Sequence, residues 1–197
     1  MWTIPIGVAN ISRKRKEKVR GEPISLLYVG RVEGYKGVQH IVEAMAKLKE
    51  VHNVSSSLTI VGAGDYANEL RTSIKRLGLE GAVRWLERLP PATLDEEYEN
   101  ADMLLLLSKA ESYGLVVAEA LAHGTPCIVS KSSALVEFLQ EPGCFGLDYP
   151  PDDEALAKLI LEVYASEVVE GHLSRKVRVW DEVADDYLRA YYGATST

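Results

Sequence analysis

Apolar residues along the chain switch repeatedly between two spacings, and each switch marks a new predicted element. Short, continuous apolar runs predict strands at 25–29, 57–61, 83–86, 103–107, 126–130 and 143–147. Between them, apolar residues recur at helical spacing. They predict helices over 37–50, from the 62–64 turn to about 77, and over 93–100, 114–123, 133–139, 152–170 and 176–192.

The predicted strands are apolar throughout and do not alternate with polar residues, which indicates burial on both faces. Repeated strand–helix units of this kind form a parallel sheet covered by helices. We therefore predict an α/β fold, a Rossmann-like doubly wound parallel sheet of about six strands. Such sheets bind ligands at the carboxyl ends of their strands. This rule predicts that ligand-binding residues lie in three loops, at 30–37, 62–65 and 108–114.

Composition narrows the class of protein. The 197 residues fit one domain with a short appendage, and 47% hydrophobic residues can form a sizeable core. A formal net charge of −7 argues against nucleic acid as a partner. A basic cluster at 13–20 is interpreted as a solvated connector, with attraction to anionic lipid as the alternative.

Cysteine usage and hydropathy lead to an expected location. Two cysteines, Cys127 and Cys144, form no disulfide framework, and Cys127 falls in an apolar run typical of a buried, reduced thiol. The apolar runs are too short to span a bilayer, and the first residues do not open a signal peptide. We expect a soluble, cytoplasmic protein.

The first loop combines glycines with two cations. Gly30, Gly34 and Gly37 free the backbone for tight turns, and Arg31 and Lys36 lie among them. A planar guanidinium and a flexible ammonium suit the several anionic oxygens of a diphosphate. The alternative is a solvated loop whose cations are incidental.

The third loop precedes a predicted helix. The first-turn amides of that helix and its dipole would favour a bound phosphate. Glu119 lies about one and a half turns into the helix, where its carboxylate could accept bonds from both ribose hydroxyls. The alternative is that Glu119 is an exposed helix residue. Glu111 lies in the loop and points past the phosphates. The candidate segment comprises Glu111, Ser112, Tyr113, Gly114, Leu115 and Glu119.

Two other signals are discounted. The 62–65 loop lacks the third glycine of a dinucleotide-binding motif, because position 67 is Ala67, and no ribose-binding acid follows the next strand. The four histidines show neither metal-ligand spacing nor a partnered acidic cluster, so no metal site is predicted. His123 is interpreted as a cation at a helix C-terminus.

Taken together, these segments resemble the C-terminal domain of GT-B glycosyltransferases, specifically those of the retaining family 4. The similar segments occur in the family's order along most of the chain. They are 4–8 (Ile-Pro-Ile-Gly-Val), 28–31 followed by Lys36 and Gly37, Ala101-Asp102, 111–126, which opens with a Glu-x7-Glu motif, and 179–184.

The resemblance implies roles for individual residues. It implies that Arg31 and Lys36 neutralise a pyrophosphate leaving group without an obligatory metal, and that Glu111 contacts the donor sugar. These three would be the catalytic residues. Glu119 would hold the ribose. The remaining implied donor-binding residues are Gly30, Gly37, Ser112, Tyr113, Gly114 and Leu115. The implied substrate is a UDP-, GDP- or ADP-sugar, transferred with retention of configuration.

The resemblance also implies a domain plan. Residues 1–24 would be a linker-like segment, 25–175 the nucleotide-sugar-binding domain, and 176–197 a helix packing toward an N-terminal domain. We expect that acceptor-binding domain in a longer chain or a partner subunit, contacted by Trp2 and Trp180. Without it the chain should be inert or nearly so. A lipid-linked acceptor would bring the protein to the inner membrane face.

Two departures from the family pattern bear on specificity, and two alternative functions stay open. Ser132-Ser133-Ala134 replaces the family's glycine pair in a loop expected to line the donor sugar, and Ile6 replaces an asparagine. Base contacts are expected near 86–89. The alternatives are a nucleotide-sugar epimerase of GT-B architecture, disfavoured by the Glu-x7-Glu match, and a non-catalytic nucleotide-sugar-binding or assembly subunit.

Overall fold

Six parallel strands form one sheet in the computed structural model, which describes residues 7–8, 22–166 and 178–195. The spatial order is β3-β2-β1-β4-β5-β6. The predicted fold class is therefore confirmed. The strands are β1 (Ile24–Val29), β2 (Ser56–Val61), β3 (Val83–Leu86), β4 (Met103–Leu106), β5 (Cys127–Ser130) and β6 (Cys144–Leu147).

Helices connect the strands and cover both faces of the sheet. Three short connections are 3-10 helices, at Gly34–Lys36, Glu80–Ala82 and Ser133–Gln140. The α-helices are α1 (Val38–Glu50), α2 (Ala67–Arg76), α3 (Pro91–Asn100), α4 (Leu115–Ala122), α5 (Asp153–Ala165) and α6 (Trp180–Thr195). Among the described residues, no helix has the length and apolar character needed to cross a bilayer.

Two predicted helices differ from the observed ones. The stretch predicted as a helix at 133–139 is a 3-10 helix, and its first residue, Ser133, has a left-handed φ of 48°. The helix predicted over 152–170 begins on an Asp152 cap, as expected, but ends at Ala165. Ser166 turns the backbone to an extended conformation, and its hydroxyl donates to the carbonyl of Val163 at 2.8 Å. Positions 167–170 and 176–177 of the two last predicted helices lie outside the described residues.

The order of the strands creates a switch point between β1 and β4. The chain runs outward from β1 to β2 and β3, then returns to place β4 on the other side of β1. Leu26 and Leu27 of β1 pair with Met103 and Leu104 of β4. The loops after these two strands therefore emerge side by side at the carboxyl edge, which is where open α/β sheets bind ligands.

The segment before β1 meets the start of α6. Val8 forms a parallel bridge with Val179, in which the Val8 amide donates to the carbonyl of Arg178 at 2.7 Å. The Trp180 amide donates back to the Val8 carbonyl at 3.2 Å. Trp2, the motif residues 4–6 and the basic cluster at 13–20 lie outside the described residues.

Both cysteines are buried in the sheet as free thiols. Cys127 on β5 and Cys144 on β6 are register partners. Burial raises the pKa of the Cys127 thiol well above its ordinary value. It raises the pKa of the Cys144 thiol to about 12. Neither thiol is thus a reactive thiolate near neutral pH.

Candidate functional site

Gly37 lets the loop after β1 touch the loop after β4. Its φ is 75°, and a Cβ built on it would lie 1.9 Å from the backbone oxygen of Leu107. No larger residue fits this contact without moving backbone. Close by, the amide of Lys109 donates to the carbonyl of Tyr35 at 2.8 Å. Backbone contacts therefore hold the first and third candidate loops together.

Lys36 and Glu111 join across these two loops. The Lys36 Nζ lies 2.6 Å from Glu111 Oε1, and the two side chains are only 13% and 15% exposed. The partly buried position reduces screening by water and strengthens the charge-assisted hydrogen bond. Glu111 is also anchored through its backbone, because its amide donates to Ser133 Oγ at 2.8 Å. The 132–134 loop thus lies against the predicted site.

Arg31 sits at the outer rim of the same loop. Its guanidinium is exposed and donates to the hydroxyl of Tyr35 at 2.8 Å. The buried Tyr28 donates its hydroxyl to the Arg31 carbonyl at 2.6 Å. Burial, followed by the negative charge of Glu111, raises the pKa of Tyr28, so this phenol stays a neutral donor. Arg31 and Lys36 therefore project from a loop whose backbone is fixed.

The N-terminus of α4 opens beside Glu111. Gly114 takes the cap position with φ 95°, and a Cβ there would lie 2.8 Å from Leu135 Cδ2. The ring of Tyr113 packs edge-on against Phe138, with centroids 5.7 Å apart. Ser112 and Leu115 are exposed. Helix geometry leaves the first-turn amides without acceptors inside the helix, so this terminus can receive an anion.

Glu119 is not the exposed helix residue that the alternative reading expected. It is half-buried in α4, and its Oε2 accepts a hydrogen bond from the Tyr98 hydroxyl at 2.7 Å. Burial raises the pKa of Glu119, while the hydrogen bond from Tyr98 lowers it. The hydrogen bond from Tyr98 therefore positions the carboxylate of Glu119 on α4.

The structure gives three histidines single acidic partners, although the sequence showed no acidic cluster beside them. Each of three histidines faces a carboxylate from an element distant in sequence. The pairs are His40–Asp153 at 3.6 Å, His52–Glu154 at 3.1 Å and His123–Asp95 at 3.4 Å. Sequence spacing missed them because packing creates the pairs. Within the described ranges, no three His, Cys, Asp or Glu side chains converge in a way that could hold a metal ion.

The second candidate loop serves packing. A Cβ on Gly62 would lie 1.8 Å from the carbonyl oxygen of Gly30, and one on Gly64 would lie 2.2 Å from that of Val32. These glycines let the loops after β1 and β2 run in contact. This explains the Gly-x-Gly spacing without a dinucleotide.

The chain is similar to known proteins over most of its length. Residues 10–180 match the family model described as glycosyl transferases group 1. An uncharacterized glycosyltransferase of Methanocaldococcus jannaschii is 28% identical over 200 residues, covering 96% of this chain and 51% of the relative. The glycogen synthase of Mycobacterium tuberculosis is 31% identical over 183 residues, covering 89% and 44%. The chain thus spans about half the length of the curated relatives it matches.

Solved structures share the fold. A lipopolysaccharide outer core galactosyltransferase in its apo form superposes with a TM-score of 0.76 at 22% identity, covering 97% of this chain and 54% of the other. Anabaena HepE, crystallised with UDP and glucose, gives a TM-score of 0.73 at 21% identity, covering 86% and 48%. At these identities the likeness concerns the fold alone.

Proposed function

Because the chain belongs to the glycosyl transferases group 1 family, we propose that it forms the donor-binding half of a glycosyltransferase and binds a nucleoside-diphosphate sugar. The observation that carries the proposal is the convergence at one sheet edge. Two cations of the β1 loop, Glu111 and the N-terminus of α4 lie where a doubly wound sheet binds ligands, and α4 also carries Glu119.

We assign the diphosphate to Arg31, Lys36 and the first turn of α4. In sugar transfer, the bond from the anomeric carbon to the phosphate oxygen breaks, and its electrons pass to the diphosphate. Fixed positive charge nearby stabilises that developing negative charge. The Lys36 ammonium has three donors, and Glu111 takes one of them, so two stay available for phosphate oxygens.

The two acidic residues of the motif take the hydroxyl-bearing parts of the donor. Glu111 reaches the sugar side of the site, where Lys36 holds its carboxylate in place. Glu119 accepts from the ribose hydroxyls, and Gly30, Gly37, Ser112, Tyr113, Gly114 and Leu115 complete the donor wall. Retention of configuration belongs to this proposal by resemblance to the retaining family.

An acceptor-binding lobe completes the enzyme in this proposal. The chain spans about half of its relatives, and α6 presents a set of exposed aromatic rings. Trp180 is 51% exposed and Tyr191 is 67% exposed, and Tyr187, Leu188 and Tyr192 are similarly open. An exposed apolar set of this kind is typical of an interface. We propose that α6 packs on the acceptor lobe and that this chain alone transfers no sugar.

Titration calorimetry with UDP, GDP and ADP tests the proposal. The solved neighbour with bound UDP makes UDP the first choice. We expect one of the three to bind this chain with a Kd in roughly the micromolar to millimolar range. Absence of binding for all three at millimolar concentration would overturn the donor-site assignment. The same titration with UMP separates diphosphate from base contributions, and we expect the monophosphate to bind more weakly.

A further inference from the structure

Tyr98, which has no role in the sequence analysis, lies behind Glu119. Tyr98, on α3, is only 1% exposed although it carries a hydroxyl. That hydroxyl donates to Glu119 Oε2 at 2.7 Å. A buried phenol needs a polar partner, and here the partner is one oxygen of the carboxylate assigned to ribose.

Tyr98 is itself held from two sides. Thr125, buried two residues before β5, donates its hydroxyl to the Tyr98 carbonyl at 2.6 Å. The imidazole of His123 stacks on the Tyr98 ring, with centroids 5.5 Å apart and planes 26° from parallel. These contacts leave the phenol little freedom to swing away from Glu119.

His123 links this cluster back to α4 and α3. It is 2% exposed, and its Nδ1 donates to the carbonyl of Glu119 at 2.8 Å. Its Nε2 lies 3.4 Å from Asp95 Oδ1, one helical turn before Tyr98 on α3. The imidazole therefore spans the two helices whose side chains meet at Glu119.

We infer that Tyr98 is a positioning residue for nucleotide recognition: by binding Glu119 Oε2, it turns the other carboxylate oxygen, Oε1, toward the ribose hydroxyls. This inference rests on the proposed function, in which Glu119 binds ribose. Without the phenol, the carboxylate would be free to rotate and would lose a donor that favours its ionised form. Nucleotide binding would then have to order the Glu119 side chain, which lowers the affinity.

The test compares UDP with 2′-deoxy-UDP on the whole chain by calorimetry. Tyr98→Phe keeps the ring and its stacking on His123 and removes only the hydroxyl. We expect the wild type to bind UDP about tenfold more tightly than 2′-deoxy-UDP. In Tyr98→Phe, UDP binding should weaken roughly three- to tenfold, while 2′-deoxy-UDP binding changes much less. The ratio of UDP affinity to 2′-deoxy-UDP affinity should therefore fall in this variant.

Two further variants keep the test decisive. Tyr164→Phe, on α5, also removes one phenol hydroxyl and should leave discrimination unchanged. Thr125→Val releases the carbonyl of Tyr98 and leaves the phenol in place. We expect it, too, to lower the ratio of UDP affinity to 2′-deoxy-UDP affinity. This variant replaces Tyr98→Phe in the test if Tyr98→Phe does not fold. A Tyr98→Phe change added to Glu119→Gln should have little additional effect on discrimination, because the two residues act through one contact.

The outcomes separate this inference from the proposed function. If folded Tyr98→Phe keeps the wild-type ratio of UDP affinity to 2′-deoxy-UDP affinity, the positioning role is overturned and the donor site is not. If Tyr98→Phe does not fold, the same result in Thr125→Val has the same meaning. Equal binding of both nucleotides by the wild type would overturn the ribose role of Glu119 while retaining diphosphate binding. Failure of UDP, GDP and ADP to bind the wild type would overturn the proposed function and this inference with it.

Discussion

Glu111 and Glu119 belong to one short segment, yet the structure places them in different surroundings. At the loop end, Glu111 meets the ammonium of Lys36 at 2.6 Å. At the helix end, Glu119 meets the phenol of Tyr98 at 2.7 Å. The distances are nearly equal, but one partner carries a full charge and the other none.

This difference indicates how two carboxylates can serve one anionic ligand. A cation beside Glu111 offsets its repulsion of a diphosphate, so that carboxylate can lie near the reacting bond. Glu119 instead accepts its hydrogen bond from a neutral phenol, and burial raises the pKa of its carboxyl group. It is suited to neutral hydroxyls, which approach it without charge repulsion. The two ends of the segment are therefore separable by mutation.

The largest effect should come from Gly37→Ala, which disrupts the backbone contact between Gly37 and Leu107 that holds the two loops together. The new Cβ would have to move the Leu107 carbonyl, and φ 75° adds strain. We expect a loss of more than about 2 kcal/mol in the free energy of unfolding, measured in urea, together with weakened UDP binding.

Gly78→Ala is the matched control for this change. Its φ of 61° imposes a similar backbone strain, but a Cβ there meets nothing within 4 Å. We expect a loss of about 1 kcal/mol and unchanged UDP affinity. Equal losses in the two variants would mean that the contact with Leu107 does not fix the loop.

Next in size is Lys36→Met, which keeps an apolar stem and removes the ammonium. The diphosphate loses a charged donor, and Glu111 is left without its partner. UDP affinity should fall about 10- to 100-fold, as expected for a charged hydrogen bond. Lys158→Met removes the same charge from an exposed pair with Glu154 and should leave the affinity unchanged. A Lys36→Met chain that binds UDP like the wild type contradicts the loop assignment.

The sequence was sufficient to predict the sheet and the three loops, because strands buried on both faces appear as continuous runs of apolar residues. Ile24–Val29 and Met103–Leu106 are such strands, and their loops contain Lys36 and Glu111. Spacing could not show that these two side chains meet, since 75 residues separate them. The pair exists because β4 lies beside β1.

Tyr98 shows why the rest of the site was missed. In sequence it is an apolar position of an amphipathic helix, four residues after Leu94, and this spacing predicts burial but no partner. Its hydroxyl acquires a role only when α3 packs beside α4. One signal in the sequence could have identified it. A tyrosine at a predicted core position needs a hydrogen-bond acceptor for its buried hydroxyl.

The smallest effect concerns the helix end and is visible as a pH dependence. Burial raises the pKa of Glu119 above its ordinary value of 4.5, so the folded chain holds this proton more tightly than the unfolded chain. The contribution of Glu119 to stability is then greatest below pH 4.5 and is lost as the pH rises through the folded-state pKa. Glu119→Gln removes this loss. Relative to the wild type, the variant should gain stability between acidic and neutral pH.

We expect a gain below about 1 kcal/mol, because solvent screens a half-buried carboxylate. Urea unfolding of both chains from acidic to neutral pH, without nucleotide, measures it. Glu50→Gln, at the exposed end of α1, provides the matched control and should give parallel curves. If Glu119→Gln also parallels the wild type, burial does not oppose ionisation at the helix end. The contrast with Glu111 would then rest on the partner's charge alone.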